Sequence, residues 1–544
     1  MLASVLTPSA HAQPEAERPN LVLVMTDQQR FDTLAVNGNS NMKTPVLDKL
    51  ARSGANMHGY FATSPVCGPS RASFFTGRYP HSHRIRENYS LPEAGREIHL
   101  FRILKQNGYR LGHVGKNHIV DPQEMPNFDL FSQAGSHEQS PEEKKLIERY
   151  YQHREEIDVP LGNSELWRTG FVHEGPVEST RTWQSAQAAI DFIEQQDGEK
   201  PFALTVCFED PHLPHIVLKE YFEKYPLDEI DLLPVGGEKE LEKKALRWAV
   251  KHAALNAETA SEEEKKRYIA IYRAMISWID TQTGRILQTL EDQGLRENTL
   301  VVFTSDHGDF SWQHNQAFKD LVLADSLLHV PCIYSWPGQI EAQTYPEEVL
   351  VSGVDMLPTI LDLLGVETPI GVQGTSFAPL LRGESGKHKD AVFAEVCPPY
   401  LYNKYESPKA FVDAHGGPGN TPFNVPGDFT KSIRTADWRY IWYGTGEEEL
   451  YDHREDPHEL NNLAGDPEYA DVKQRLKMRL LEWNALTEDP LDPNLRRDLQ
   501  AKYDNWTPLS IEPGKHEQPS WKETIHMDLS KPVWNWQTWE PAEQ

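Results

Sequence analysis

The first clear structural element of the chain reads Asn20-Leu21-Val22-Leu23-Val24-Met25-Thr26, and the polar pair Asp27-Gln28 follows it directly. A continuous apolar run of this length is typical of a strand that is buried on both faces of a parallel sheet. Three further runs have the same character, at Gly108–Gly115, Phe202–Phe208 and Thr299–Thr304. Segments with helical spacing separate these runs, notably 186–196 and 264–290. The alternation predicts an α/β fold in which a large, mixed but mostly parallel sheet lies between layers of helices.

Polar residues follow each of the four predicted strands. The four clusters are Asp27-Gln28, Lys116-Asn117-His118, Glu209–His212 and Ser305–Gly308. Ligands of open α/β sheets bind outside the carboxyl ends of the strands, so we expect these clusters to meet along one edge of the sheet. The alternative is that polar residues simply terminate the strands.

Size and charge limit the classes of protein to consider. The chain has 544 residues, which favours two domains over one simple core. Its formal net charge is -28, from 82 acidic and 54 basic residues. Nucleic-acid binders usually carry a basic surface, so no nucleic-acid partner is expected, although a local basic site can still bind a small anionic substrate. After residue 20, no run approaches the ~20 apolar residues of a bilayer span, so no membrane span is expected.

The composition divides the chain into four predicted segments. Residues 1–18 contain Ala10-His11-Ala12, which resembles the end of a secretory signal and predicts a periplasmic or secreted protein; the other reading is a disordered tail. Residues 19–390 form the α/β domain. Short β-rich pieces and an amphipathic helix predict a smaller α+β domain with an antiparallel sheet at 391–489. Residues 490–544, rich in Trp and Pro, predict an extended arm packed on the body.

The most specific local motif is Cys67-Gly68-Pro69-Ser70-Arg71, which is followed by Thr76-Gly77-Arg78. Gly68 and Pro69 interrupt any preceding element, and proline is favoured in the first turn of a helix. Cys67 is therefore expected at a helix N-terminus, where the helix dipole favours negative charge. Taken alone, the motif allows either a thiolate nucleophile of lowered pKa or a structural cysteine.

The motif resembles the maturation sequence of the type I sulfatase family, in which Cys-x-Pro-Ser-Arg precedes Thr-Gly-Arg. The similarity continues at Asp27, Gly115–His118, Pro211–Pro214, Ser305–Gly308, Lys319 and Glu449–Leu463, and it covers residues 19–480. It implies an alkaline-phosphatase-like fold and a sulfated small molecule or oligosaccharide as substrate. The predicted export, the acidic composition and the long insertions favour a carbohydrate. It also implies that a formylglycine-generating or equivalent maturation enzyme oxidises Cys67 to formylglycine (3-oxoalanine). A non-catalytic binding protein is disfavoured because every expected reactive position is occupied.

The resemblance also implies a divalent cation beside residue 67. The expected ligands are Asp27, Gln28, Cys67 in its oxidised form, Asp306 and His307. Calcium is the expectation of the family, but the donor set also allows Mg²⁺ or Mn²⁺, because an imidazole is a softer ligand than Ca²⁺ usually takes. Gln28 stands where many sulfatases have a second Asp, and a similar Asp-Gln pair occurs in the related phosphonate monoester hydrolases. Hydrolysis of phosphonate monoesters or phosphodiesters is therefore the alternative function.

The resemblance assigns roles to the remaining motif residues. Arg71, Lys116 and Lys319 are expected to supply positive charge around the sulfate. A hydroxyl of hydrated formylglycine attacks sulfur, His212 or Lys319 protonates the departing alcohol, and His118 takes the proton of the second hydroxyl as sulfate leaves. Four residues are either substrate contacts or part of a solvated loop, namely His83, Arg86, Asn88 and His314.

Overall fold

The computed structural model describes residues 18–86, 88, 97–133, 141–156, 170–236, 238–255, 257–319, 321–396 and 429–488, together with the short strands Trp534–Asn535 and Glu540–Pro541. The strands up to residue 488 are β1 (Asn20–Asp27), β2 (Ala55–Met57), β3 (Tyr60–Phe61), β4 (Arg110–Gly115), β5 (Leu130–Ser132), β6 (Phe171–His173), β7 (Phe202–Pro211), β8 (Ile216–Leu218), β9 (Thr299–Ser305), β10 (Cys332–Ser335), β11 (Gln343–Tyr345), β12 (Val351–Ser352), β13 (Val392–Val396), β14 (Thr430–Arg434), β15 (Trp438–Tyr443) and β16 (Glu448–Asp452). The α-helices are Pro45–Arg52, Cys67–Thr76, Pro80–His83, Leu100–Gln106, Pro141–Glu156, Arg181–Glu194, Lys219–Phe222, Glu238–Lys243, Leu246–Ala254, Glu262–Asp292, Asp325–Leu328, Met356–Leu363, Ala378–Leu381 and Ala470–Thr487.

Eight strands form the larger sheet, in the order β11-β2-β10-β9-β1-β7-β4-β5. β1 runs parallel to β7 and β9, and β4 runs parallel to β7 and β5. β10 is antiparallel to both β9 and β2. The predicted α/β fold with a mixed, mostly parallel sheet is therefore confirmed, and β1 is one of its central strands.

The two faces of β1 contribute to two different hydrophobic clusters. Val22 and Val24 pack in one cluster with the helices Arg181–Glu194 and Glu262–Asp292. Leu21, Leu23 and Met25 belong to the other, which includes residues of the helices Leu100–Gln106 and Met356–Leu363. Successive side chains of a strand point to opposite faces, so a strand with helices on both sides needs an apolar residue at every position. This requirement explains the uninterrupted run seen in the sequence.

A smaller antiparallel sheet has the strand order β13-β14-β15-β16. Leu476, Leu480 and Trp483 of the helix Ala470–Thr487 pack with Ile433 and Tyr440 of this sheet. The predicted C-terminal antiparallel sheet is thus confirmed. Both sheets belong to one compact unit, and the domain boundary at residue 390 stays a prediction.

Some predictions fall outside the described residues. The predicted leader or tail at 1–18 is outside the described residues except for Arg18. The predicted arm at 490–544 is also outside them, except for the paired strands Trp534–Asn535 and Glu540–Pro541. Within the described part of the chain, no helix combines the length and apolarity that a bilayer crossing requires.

Candidate active site

The carboxyl ends of four adjacent parallel strands bring the polar clusters together. β1 ends at Asp27, and Asp306 follows β9; these two strands are in register with Thr26 beside Ser305. On the other side of β1, Lys116 follows β4, and His212 follows the last residue of β7. Lys116 Nζ lies 2.8 Å from Asp27 Oδ2, which joins the ends of β4 and β1 directly. The sheet topology thus explains how residues nearly 300 positions apart come to share one site.

Cys67 is the first residue of the helix Cys67–Thr76, and every residue of this helix is buried. Four groups surround its thiol. Lys319 Nζ lies 2.6 Å and His307 Nε2 3.3 Å from Cys67 Sγ. Asp27 Oδ1 is 3.6 Å and Lys116 Nζ 3.9 Å from the same sulfur. Four of the residues that the sequence assigned to catalysis and metal binding therefore meet at the sulfur of Cys67.

Arg71 lies one helical turn after Cys67, on the same face of the helix. Its Nη2 is 3.0 Å from Asp27 Oδ2, and its Nε is 2.8 Å from Asp306 Oδ2. The guanidinium is buried together with both carboxylates. In the structure the charge of Arg71 is directed at the two carboxylates, which it holds side by side, and its role in supplying positive charge around the sulfate stays a prediction.

Asp27, Cys67, Asp306 and His307 each offer a ligand atom, and these atoms all lie within 4.8 Å of one another. His307 Nδ1 donates to the carbonyl oxygen of Gly308 at 2.9 Å, so the lone pair is on Nε2, which faces the two carboxylates at 3.7 and 3.8 Å. Two buried carboxylate groups, one correctly oriented imidazole and an oxidised residue 67 form a donor set that fits a divalent cation.

The electrostatics of the site depend on the balance between burial and the charges of neighbouring side chains. Burial opposes ionisation of Asp27, but the positive charges of Lys116, Lys319 and Arg71 hold its pKa well below the usual range. Burial and the neighbouring charge of Asp27 raise the pKa of Asp306, even though His307 and Arg71 act in the opposite direction. Burial and Asp27 raise the pKa of the Cys67 thiol, but Lys116, Lys319 and His307 outweigh them and lower it to about 6.

The two histidines predicted to transfer protons are neutral in this environment. Burial, followed by the charge of Lys116, lowers the pKa of both His118 and His212 well below the usual value. His212 Nδ1 lies 3.0 Å from the carbonyl oxygen of Leu213, a bond that places the proton on Nδ1 and the lone pair on Nε2. His212 therefore has no proton on Nε2 to donate, and Nε2 is the atom of its ring that can accept one.

Four residues were predicted as substrate contacts, and two of them are internal. His83 is fully buried; its Nε2 lies 3.1 Å from Ser73 Oγ, and its Nδ1 accepts from the backbone N–H of Ile85. Burial lowers the pKa of His83 to about 3. His314 is also buried, with Nδ1 2.5 Å from Glu240 Oε1. Both rings are therefore buried and hydrogen-bonded inside the protein, and their contact with a substrate stays a prediction.

The other two candidates lie nearer to solvent. The Oδ1 atom of Asn88 accepts from the backbone N–H of Gly68 at 2.8 Å, so this residue supports the first turn of the Cys67 helix. Arg86 is exposed, and its guanidinium lies 5.9 Å from the centre of the Phe429 ring. Contact of either residue with a substrate stays a prediction.

Sequence reasoning missed two residues that support the metal cluster. The hydroxyl of Ser70 donates to the carbonyl oxygen of Asp306 at 2.5 Å and thereby ties the helix to β9. The carboxylate of Asp309 accepts from Gln28 Nε2 at 2.6 Å. Their closeness in sequence to the predicted site residues could have indicated both. Ser70 lies within the cysteine motif, and Asp309 directly follows the Ser305–Gly308 cluster.

Comparison with known proteins gives a consistent result. The sulfatase family model matches residues 19–366, and the model of the N-sulphoglucosamine sulphohydrolase C-terminal region matches residues 312–485. An N-acetylglucosamine-6-O-sulfatase of Bacteroides thetaiotaomicron is 27% identical over 92% of this chain and 92% of its own length. A delta 4,5-hexuronate-2-O-sulfatase of the same organism is 25% identical, with 94% of this chain and 97% of its own length covered. Among solved structures, the phosphonate monoester hydrolase of Agrobacterium radiobacter has a TM-score of 0.66 and 25% identity, and the alignment covers 86% of this chain and 96% of that one.

Proposed function

This chain belongs to the type I sulfatase family of the alkaline-phosphatase-like superfamily and is a sulfatase, and on that premise we propose that it releases sulfate from a sulfated carbohydrate. We propose further that Cys67 is converted to formylglycine and that a divalent cation binds beside it, most naturally calcium. The observation that carries the proposal is the position of Cys67 Sγ, which lies within 3.9 Å of Lys319, His307, Asp27 and Lys116.

Both groups supply chemistry that the unmodified side chains lack, because formylglycine offers a hydroxyl nucleophile and the cation neutralises sulfate oxygens. The residues of the chain prepare the site for them. Arg71 holds Asp27 and Asp306 side by side in spite of their like charges. Lys116 and Lys319 place two ammonium groups on the reacting side, where negative charge develops during the transfer.

The charge environment favours one of the two candidates for the proton donor. His212 has a pKa well below the usual range, because it is buried close to Lys116 and Lys319, so it carries no proton to give from Nε2. Lys319 has three N–H donors, and its Nζ lies 2.6 Å from the sulfur of residue 67. We therefore assign protonation of the departing alcohol to Lys319. His118 keeps its expected role in the second step, where it accepts the proton of the second hydroxyl as sulfate leaves.

Three observations support a carbohydrate as the alcohol. Two of the similar proteins are named for sulfated sugars, an N-acetylglucosamine-6-sulfate and an unsaturated hexuronate 2-sulfate. These relatives are covered over 92% and 97% of their own lengths, so the likeness extends beyond the reacting core. The chain also matches the C-terminal model of an enzyme named for a sulphated glucosamine. Export to the periplasm or medium stays a prediction from Ala10-His11-Ala12.

Hydrolysis of phosphonate monoesters or phosphodiesters is the second candidate. The favouring observation is Gln28, an uncharged residue after Asp27, together with the likeness to the Agrobacterium radiobacter hydrolase at 25% identity. Gln28 leaves the site with one negative charge fewer than a second Asp would, although sulfate monoesters, phosphonate monoesters and phosphodiesters all carry a single negative charge at neutral pH. The same active site would serve both reactions, so relative rates must separate them.

Two measurements test the proposed function. Mass spectrometry of the tryptic peptide 53–71 should show that residue 67 has lost sulfur and gained an aldehyde oxygen when the protein is produced with a maturation enzyme. The converted protein should then release sulfate from 6-O-sulfated N-acetylglucosamine or 2-O-sulfated hexuronates, with phosphonate monoesters and phosphodiesters as controls. Fully converted protein that releases no sulfate would contradict the proposal, and a higher kcat/KM on phosphonates would favour the second candidate.

A further inference from the structure

Gln28 has a backbone conformation that non-glycine residues rarely adopt, with φ at 72°. Its N–H donates to Asp306 Oδ1 at 3.0 Å, and its carbonyl oxygen accepts from the Tyr272 hydroxyl at 2.5 Å. Strained conformations of this kind persist where surrounding contacts impose them, and they are concentrated at functional sites. These two bonds fix the position from which the Gln28 side chain starts. They do not decide which end of its amide faces the metal cluster.

Asp309 decides the orientation of that amide. Gln28 Nε2 donates to Asp309 Oδ2 at 2.6 Å. A carboxylate has acceptors only, so it binds the NH₂ end of an amide and rejects the oxygen end. The amide oxygen of Gln28 is thereby the end left for a cation. Oxygen donors of this kind are the ligands that hard divalent cations prefer.

Further contacts keep the Asp309 carboxylate in place. Oδ1 accepts from the backbone N–H of Ser311 at 2.5 Å and from its hydroxyl at 2.9 Å. The hydroxyl of Tyr268 lies 3.0 and 3.2 Å from the two oxygens. Arg30 Nη1 donates to the backbone carbonyl of Asp309 at 2.8 Å. Asp309, Tyr268 and Ser311 are all buried, so the carboxylate is a fixed reference for the Gln28 amide.

We propose that Asp309 is a positioning residue for the cation, and that it acts by presenting the amide oxygen of Gln28 together with Asp27, Asp306 and His307. The inference rests on the metal site of the proposed function. An asparagine at 309 could not replace the carboxylate, because its oxygen can face either Ser311 N–H or Gln28 NH₂ but not both. With the oxygen toward Ser311, two NH₂ groups oppose each other, and the Gln28 amide turns its nitrogen toward the cation.

The substitution Asp309→Asn tests this role through metal affinity instead of turnover. The full chain is treated with a chelator and titrated calorimetrically with Ca²⁺ alone, with Mg²⁺ and Mn²⁺ in parallel samples. Conversion of residue 67 is matched between variants by mass spectrometry. We expect the Kd of the tightest-binding cation to weaken by roughly 10- to 100-fold, the usual effect of removing a partner that orients a metal ligand.

Asp355→Asn is the matched control. Asp355 is likewise fully buried and accepts backbone N–H bonds, from Ser352 at 2.9 Å and Thr375 at 2.8 Å, but its bonded partners lie outside the metal cluster. This control should lower Tm and leave the Kd for the cation at the wild-type value. In the Gln28→Ala background, Asp309→Asn should cause no further loss of affinity, because the group through which it acts is already absent.

The outcomes separate this role from the metal site itself. A wild-type protein that binds none of the three cations overturns the metal site and the positioning role together. Wild-type binding with equal affinity in Asp309→Asn overturns the positioning role and leaves the metal site standing. The positioning role is also overturned if Asp309→Asn weakens cation binding as much in the Gln28→Ala background as in the wild type. Asp309 would then act on the cation without Gln28.

Discussion

Replacing Arg71 by methionine removes the group that holds the two central carboxylates together. Arg71 contacts Asp27 Oδ2 at 3.0 Å and Asp306 Oδ2 at 2.8 Å, and all three side chains are no more than 1% exposed. Asp27 keeps Lys116 at 2.8 Å, whereas the nearest remaining basic atom to Asp306 among the described contacts is His307 Nε2, at 3.7 Å. The uncompensated charge is thus on Asp306. Breaking a buried ion pair on one side typically costs about 3–5 kcal/mol, so the free energy of unfolding should fall by that amount.

The assay is urea unfolding of the chelated protein, monitored by fluorescence and far-ultraviolet circular dichroism. The double variant with Asp306→Asn should recover most of the lost stability, because it removes the orphaned charge as well as its partner. The cost of Arg71→Met should also decrease as the pH falls. A raised pKa of Asp306 in the folded state means that protonation relieves the repulsion at lower pH, whereas the penalty is complete above that pKa. If Arg71→Met lowers the free energy of unfolding by less than about 1 kcal/mol, or if the double variant regains no stability, Arg71 does not hold the two carboxylates together.

Three further predictions concern turnover and metal binding. Cys67→Ala should abolish sulfate release while the circular dichroism spectrum stays native, since residue 67 supplies the nucleophile; substantial activity would exclude the proposed chemistry. Lys319→Ala should lower kcat by roughly 10²- to 10³-fold, the usual loss for one charge-stabilising donor. Tm should change little, because the side chain is 19% exposed. A wild-type kcat would exclude Lys319 as the proton donor. Chelation should lower both activity and Tm, and Ca²⁺ at ~100 times its Kd should restore about 2.7 kcal/mol of stability; a Tm that does not respond to any divalent cation would argue against the site.

Much of the site could be predicted because parallel sheets impose a simple geometric rule. Strands that read as fully buried runs must lie side by side, and their carboxyl ends then share an edge. This rule alone places Asp27 near Asp306, and the cysteine motif places Arg71 one turn from Cys67. The amphipathic helix and β-rich pieces after residue 391 likewise predicted the second sheet correctly.

The rest depends on side-chain directions that spacing does not encode. Nothing in the sequence distinguishes a histidine that faces solvent from His83, which turns inward to Ser73. Whether Arg71 faces a substrate or the carboxylates depends on which side of the helix packs against β1. That packing is part of the tertiary structure and cannot be read from residue spacing. The choice of Lys319 over His212 as proton donor required the burial of His212 and its nearness to two ammonium groups. The role of Asp309 follows from one hydrogen bond, 2.6 Å long, between residues 281 positions apart.

The doubly buried character of β1 has a consequence for how its position along its neighbours is set. A one-residue slip normally exposes apolar side chains on a solvated face and is rejected for that reason. In β1 a slip only exchanges one apolar layer for another, so the run from Leu21 to Met25 sets little preference for alignment. The polar residues at the two ends of β1 must therefore fix its register with the neighbouring strands. Asn20 binds the N–H of Phe202 at 3.0 Å and Thr299 Oγ1 at 3.4 Å at one end, and Asp27 meets its counter-ions at the other. Asp27, whose carboxylate belongs to the active site, thus also helps Asn20 to fix the alignment of β1 with its neighbouring strands.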